Sequence, residues 1–148
     1  MAFQVSTGLR DHLLVTGSLK AGVDGGVVRI YSGTVPATAD AALSGNTLLV
    51  TISLDDTGAG IHLDDVATSG IAVKDPTETW EGTCVASGVA TFYRFSGLAD
   101  AGALSTTEKR VQGTVGTVLA DLLVSSTTYT SATVRRIDSY AVGMPAAA

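Results

Sequence analysis

Apolar positions along the chain change their spacing once. Over residues 6–21, Leu9, Leu13, Thr16 and Leu19 or Lys20 recur near a 3.6-residue period, and Leu14 and Val15 widen the apolar side. That period predicts a helix over about 6–21. Ser6 or Thr7 supplies a cap, because a hydroxyl accepts an orphan N–H at a helix start. Gly17 weakens the interior, and Gly22 with the Gly25-Gly26 pair ends the segment.

From residue 27 onward the period is two. Val27 to Tyr31 is a β-rich run, and Leu48, Val50, Ile52 and Leu54 alternate with Leu49, Thr51 and Ser53. Thr79 to Val85 and Val89 to Phe95 flank Ser87-Gly88, a spacing that predicts a hairpin. Val111 to Val115, Asp121 to Val124 and Thr133 to Val142 complete about seven strands. Frequent threonine suits a pleated, half-buried surface. The expectation is a mainly β chain, a β-sandwich or jelly roll with one N-terminal α-helix, forming a single domain over 1–148. Between two strands, the stretch from Thr34 to Ala42 reads as a rigid loop, because Pro36 fixes its own φ and biases Val35 to an extended shape.

Composition sharpens this picture. The chain is 45% apolar and only 16% charged, against roughly 25% charged in ordinary soluble domains. It is too apolar for disorder, and it has no run of about 18 apolar residues to span a membrane. A single cysteine, Cys84, makes no internal disulfide. A net charge of −5 argues against wrapping nucleic acid. Met1 to Val5 lacks a basic leader, so synthesis in a cytosol with no targeting signal is expected. The acidity is local: Asp55, Asp56, Asp64, Asp65, Asp75, Glu78 and Glu81 face Lys74 alone within residues 55–81.

Candidate chemistry is sparse. His12 and His62 lie far apart and far from Cys84, with no compact metal-ligand spacing. Asp55, Asp56, Asp64 and Asp65 offer carboxylates to a hard cation, but their order is not that of an EF-hand, and a solvated acidic loop is the plainer reading. No Gly-x-Ser-x-Gly elbow or phosphate-binding glycine motif is present, and a single Trp is poor for a sugar cleft. Trp80, Phe92, Tyr93 and Phe95 read as core, with an exposed interface anchor as the alternative, and Arg94 as stacked on a ring or paired with an acid. Lys109-Arg110 and Arg135-Arg136 are basic pairs that, with the acidic middle, would fit a complementary surface on a second copy or another protein.

The block from Arg29 to Ala42, Gly45 and the following apolar strand resemble a segment of small structural proteins of tailed bacteriophages. In order, the leading helix, Trp80 before a small-residue hairpin (Val85 to Val89), the Phe92-Tyr93-Arg94-Phe95 strand and Val111 to Gly116 before Asp121-Leu122 fit that pattern. Within that group the chain most resembles capsid decoration, or cement, proteins. The resemblance implies a non-enzymatic virion protein on the outer capsid surface, made in the host cytoplasm. Its implied partners are the major capsid protein and itself, as homodimer or homotrimer, with no cofactor, metal, nucleic acid or membrane. Alternatives are a tail or baseplate component, then a carbohydrate-binding β-sandwich module, then an enzyme. The resemblance carries over no contact residue. The chain's own pattern nominates the N-terminal arm with Phe3 and Val5, the loop at Pro36, the basic pair Arg135 and Arg136, and the tail with Met144 and Pro145.

Overall fold

A computed structural model describes residues 3–143. Met144 and Pro145 lie outside the described residues. Two short α-helices, α1 (Thr7–Asp11) and α2 (Leu19–Val23), flank a π-helical turn at His12–Thr16. The strands in chain order are β1 (Gln4–Val5), β2 (Val27–Ser32), β3 (Thr47–Leu54), β4 (Ile71–Val73), β5 (Trp80–Thr83) and β6 (Gly88–Val89). They continue as β7 (Phe92–Ser96), β8 (Arg110–Gly116), β9 (Leu122–Leu123), β10 (Thr128–Tyr129), β11 (Val134–Ile137) and β12 (Ala141–Gly143).

The architecture is mainly β with a short N-terminal helical segment, consistent with a β-sandwich. The main sheet runs β1-β8-β7-β2-β3-β5-β11, with β9 added in parallel beside β8. Two small antiparallel pairs, β6 with β10 and β4 with β12, stand outside it.

Because strand side chains alternate in direction, register assigns each residue to a face. Val28 pairs with Ile52 and Phe95, Ile30 with Val50 and Tyr93, and Phe95 with Val111. These residues are fully buried and form the inner face. Trp80, Phe95 and Tyr93 surround Tyr140, with ring centroids 5.8, 6.0 and 5.7 Å from it. Such aromatic pairs each add about 0.5–1.5 kcal/mol beyond area burial. The two tyrosine hydroxyls lie 3.0 Å apart, so each buried O–H has a partner.

Several sequence expectations change. The 6–21 helix starts at Ser6, whose Oγ accepts from the Leu9 N–H at 3.2 Å, but it does not run through. Gly17 is extended, and Ser18 caps a second start by accepting from the Ala21 N–H. Leu14 and Val15 are 81% and 88% exposed, so they do not widen a buried stripe. The predicted hairpin across Ser87-Gly88 does not form. β5 lies between β3 and β11, while β7 lies between β2 and β8. Phe92 accordingly leaves the Trp80 cluster and stacks on Tyr31 at 5.1 Å. The predicted strand from Thr133 to Val142 is two strands in different sheets, broken where Tyr140 turns into the core.

Candidate interaction surface

The opposite face of the main sheet carries a polar row. Thr51 pairs with Arg29, Arg29 with Arg94, Arg94 with Gln112, and Gln112 with Gln4, crossing five strands. Arg110, two residues before Gln112, points the same way. Arg94 and Arg110 are each 1% exposed, and Gln112 is fully buried. Groups this polar are buried only when something supplies acceptors.

The acceptors come from residues 34–44, which fold back over the row as a strap. Pro36 O accepts from Gln112 Nε2 at 2.9 Å, and Ala37 O from Gln4 Nε2 at 2.9 Å. Arg94 Nη2 donates to Thr38 O at 3.4 Å and Ala41 O at 2.7 Å. Arg110 Nη1 donates to Ala39 O at 3.1 Å and Asp40 O at 3.4 Å. Six consecutive carbonyls, 36 to 41, are thus read by side chains of the sheet. Asp40 fastens the strap to the start of α1, accepting from Thr7 N at 2.7 Å and Thr7 Oγ1 at 2.6 Å. These Thr7 bonds, the hydroxyl first, hold the Asp40 carboxyl below its ordinary range against a smaller opposing effect of burial.

The two arginines are not equivalent. Arg110 makes a forked pair with Asp100, at 2.6 and 2.7 Å, and that carboxylate is 3% exposed. Burial works against the Asp100 charge, but the Arg110 bonds and the Gly102 N–H outweigh it and hold its pKa low. Arg94 has no acid. Its Nε bonds Gln112 Oε1 at 2.8 Å, and its Nη1 has no partner. Burial, then the neighbouring Arg110 charge, lowers its pKa to about 10. The expected ring stack or acid pair of Arg94 is therefore replaced by amide and carbonyl bonds. The Lys109-Arg110 pair is likewise not a solvated basic patch, since only Lys109 is exposed.

The nominated interface residues fall in separate places. Phe3 is 40% exposed beside the sheet edge, whereas Val5 pairs with Val111 in β1 and packs on the core. Pro36 belongs to the strap and lies against Gln112, not on a projection. Arg135 stacks on Tyr129, 4.2 Å from the ring centroid, and Arg136 pairs with Glu81 at 3.1 Å. β11, which carries both arginines, is the outer strand of the main sheet.

The acidic stretch is mostly engaged within the chain. Asp56 accepts from Thr83 Oγ1 at 2.6 Å, Asp65 lies 3.3 Å from Lys20, and Asp75 accepts from Thr77. Glu78 accepts from the His62 backbone, the His62 ring and the Trp80 indole at 2.9, 2.6 and 2.9 Å. Burial opposes its charge, yet those donors, His62 foremost, hold the Glu78 pKa below the ordinary value. Asp55 and Asp56 both adopt left-handed φ, near 53° and 56°, so the doublet is a tight turn and not an extended pair. Among the described residues, no three His, Cys, Asp or Glu groups converge as metal ligands. No helix there is long and apolar enough to cross a membrane.

Large apolar side chains nevertheless reach solvent. Leu119 is 93% exposed at φ 50°, with Val118 at 72%, and Leu104 is 72% exposed. Val73, Ala120, Leu123 and Tyr140 line an open groove of about 470 Å³. Compared with known protein families, curated proteins and solved structures, the chain matches none.

Proposed function

We propose that this chain is a non-enzymatic structural protein of a phage virion, a capsid decoration protein that binds the outer head surface and stabilises contacts between major capsid proteins. The observation that carries the reading is the distribution of exposed apolar side chains over a stiff β scaffold. Leu14, Val15, Leu104, Val118 and Leu119 are each more than two-thirds exposed. Exposed apolar surface with a polar rim is what an interface needs, and its burial is favourable by about 25 cal/mol per Å². The sequence resemblance points the same way, and a low charge fraction keeps desolvation on docking cheap.

The test is direct. Purified protein is added to mature phage heads lacking it, then heads are pelleted and heated. Saturable pelleting and a higher temperature of genome release support the reading. Pelleting with isolated tails and not with heads would replace it by a tail or baseplate role.

A further inference from the structure

The ribbon formed by β4 and β12 has a groove on each side. Ala141, opposite Val73, lines the groove beside Leu123. Val142, opposite Ala72, lines a second groove of about 390 Å³. Leu13 and Leu19 extend the apolar wall of this second groove, and Lys20 and Asp65 are among its polar residues. Leu13, Leu19 and Ala72 pack against the core yet are only half-buried, so the core is left open here. Covering such apolar surface is favourable. β12 ends at Gly143, one residue past Val142. Gly143 pairs with Ile71, so the next register position faces Gly70, which also lines the groove. Ser69 and Gly70, at φ 54° and 77°, form a tight turn closed by mutual backbone bonds between Thr68 and Ile71. Having no side chain, Gly70 leaves the space across from residue 144 open.

We propose that this second groove is the seat of the chain's own residues 144–148, with the Met144 side chain filling it against Leu13, Leu19 and Val142. Alternation along β12 puts residue 144 on the same side as Val142, about 7 Å farther along. Pro145 biases the residue before it to an extended backbone, so the alternation holds one step past Gly143. Lacking an N–H, Pro145 also ends the pairing there. A methionine side chain is unbranched and adapts to irregular apolar gaps. All five residues, Met144-Pro145-Ala146-Ala147-Ala148, carry uncharged side chains, so none sheds a charged group's hydration on entering. Docking takes this apolar face out of the surface left for partners, and Met144 then serves the chain's own core. The inference stands apart from the decoration-protein reading. It is measured on purified protein without heads, so the two ideas fail separately.

Labelling the methionine methyl groups of the full chain tests this without altering it. The chain has 2 methionines, Met1 and Met144, and the signal lost in Met144→Leu identifies the second. In nuclear magnetic resonance, the Met144 methyl should show through-space contacts to the methyl groups of Leu13, Leu19 and Val142, unchanged on dilution. Absence of those contacts would overturn the proposal. Contacts that vanish on dilution would overturn it too, because the occupant would then be a second copy. Thermal unfolding gives an independent reading. Met144→Asp should lower Tm by roughly 3–6 °C, since a carboxylate is costly in an apolar groove. Met144→Leu, a volume-conserving change, should lower it by no more than about 1 °C. Equal Tm values for the two variants would also overturn the assignment.

Discussion

On β7, Tyr93 and Phe95 enter the aromatic cluster while Arg94, between them, enters the polar row, and all three are at most 1% exposed. The inner face needs only shape: rings and branched chains fill space, and any close fit serves. The outer face needs acceptors at fixed places, and the strap's main chain supplies them. An inner contact is rewarded in proportion to area. An outer contact contributes about 0.5–1.5 kcal/mol net, but leaving a buried donor unread costs more than that bond contributes. The inner face therefore carries stability, and the outer face fixes where a loop must lie.

Substitutions should separate the faces by size of effect. Trp80→Ala removes the ring that meets both Phe95 and Tyr140, and chemical denaturation should show a loss of about 3–5 kcal/mol. Asp100→Asn leaves the buried Arg110 without a counter-charge, and the same assay should show about 3 kcal/mol lost. Acid titration sharpens that contrast. Asp100 and Glu78 have depressed pKa values when folded. The unfolded chain takes up protons first, near pH 4, so stability is full above that and falls as pH drops through the folded values. Asp100→Asn should flatten this acid limb, and Trp80→Ala, which removes one of the donors to Glu78, should flatten it less. Tyr140→Phe deprives the Tyr93 hydroxyl of its partner and should cost about 1 kcal/mol in thermal unfolding. Arg94→Met should have the smallest effect, within about 1 kcal/mol of zero, because it removes a buried charge that has no acid. A large loss there would show that the strap bonds of Arg94, and not only the Arg110–Asp100 pair, contribute stability as the inner face does.

Much of the inner face was legible. Alternation gave β2, β3 and β8 nearly to their ends, and Ser6 marked the first helical turn. The break at Gly17-Ser18 was written there too, as a helix breaker followed by a capping residue, but the apolar period of Leu13, Leu14 and Val15 masked it. The hairpin failed for a different reason. Spacing around Ser87-Gly88 is local, whereas partner choice depends on side chains far away, such as Tyr31 opposite Phe92. The outer face was hidden because charge patterns normally mark solvent. Arg94 within Phe92 to Phe95 and Arg110 beside Lys109 look like surface residues, and only a covering strap makes them interior. One signal pointed to it: three residues of the row, Gln4, Arg94 and Gln112, each follow directly on an apolar residue, Phe3, Tyr93 and Val111.

The first strand has a consequence for how the protein is made. Ser6 Oγ accepts from the Arg110 N–H, 104 residues later, and among the described residues β1 pairs only with β8. The other outer strand, β11, ends at Ile137. A ribosome adding roughly 5–20 residues per second therefore releases the amino-terminal segment well before anything exists for it to pair with. Its loop closure comes late, and such distant pairings fold slowly. For several seconds per copy, β1 therefore waits unpaired until β8 has been made.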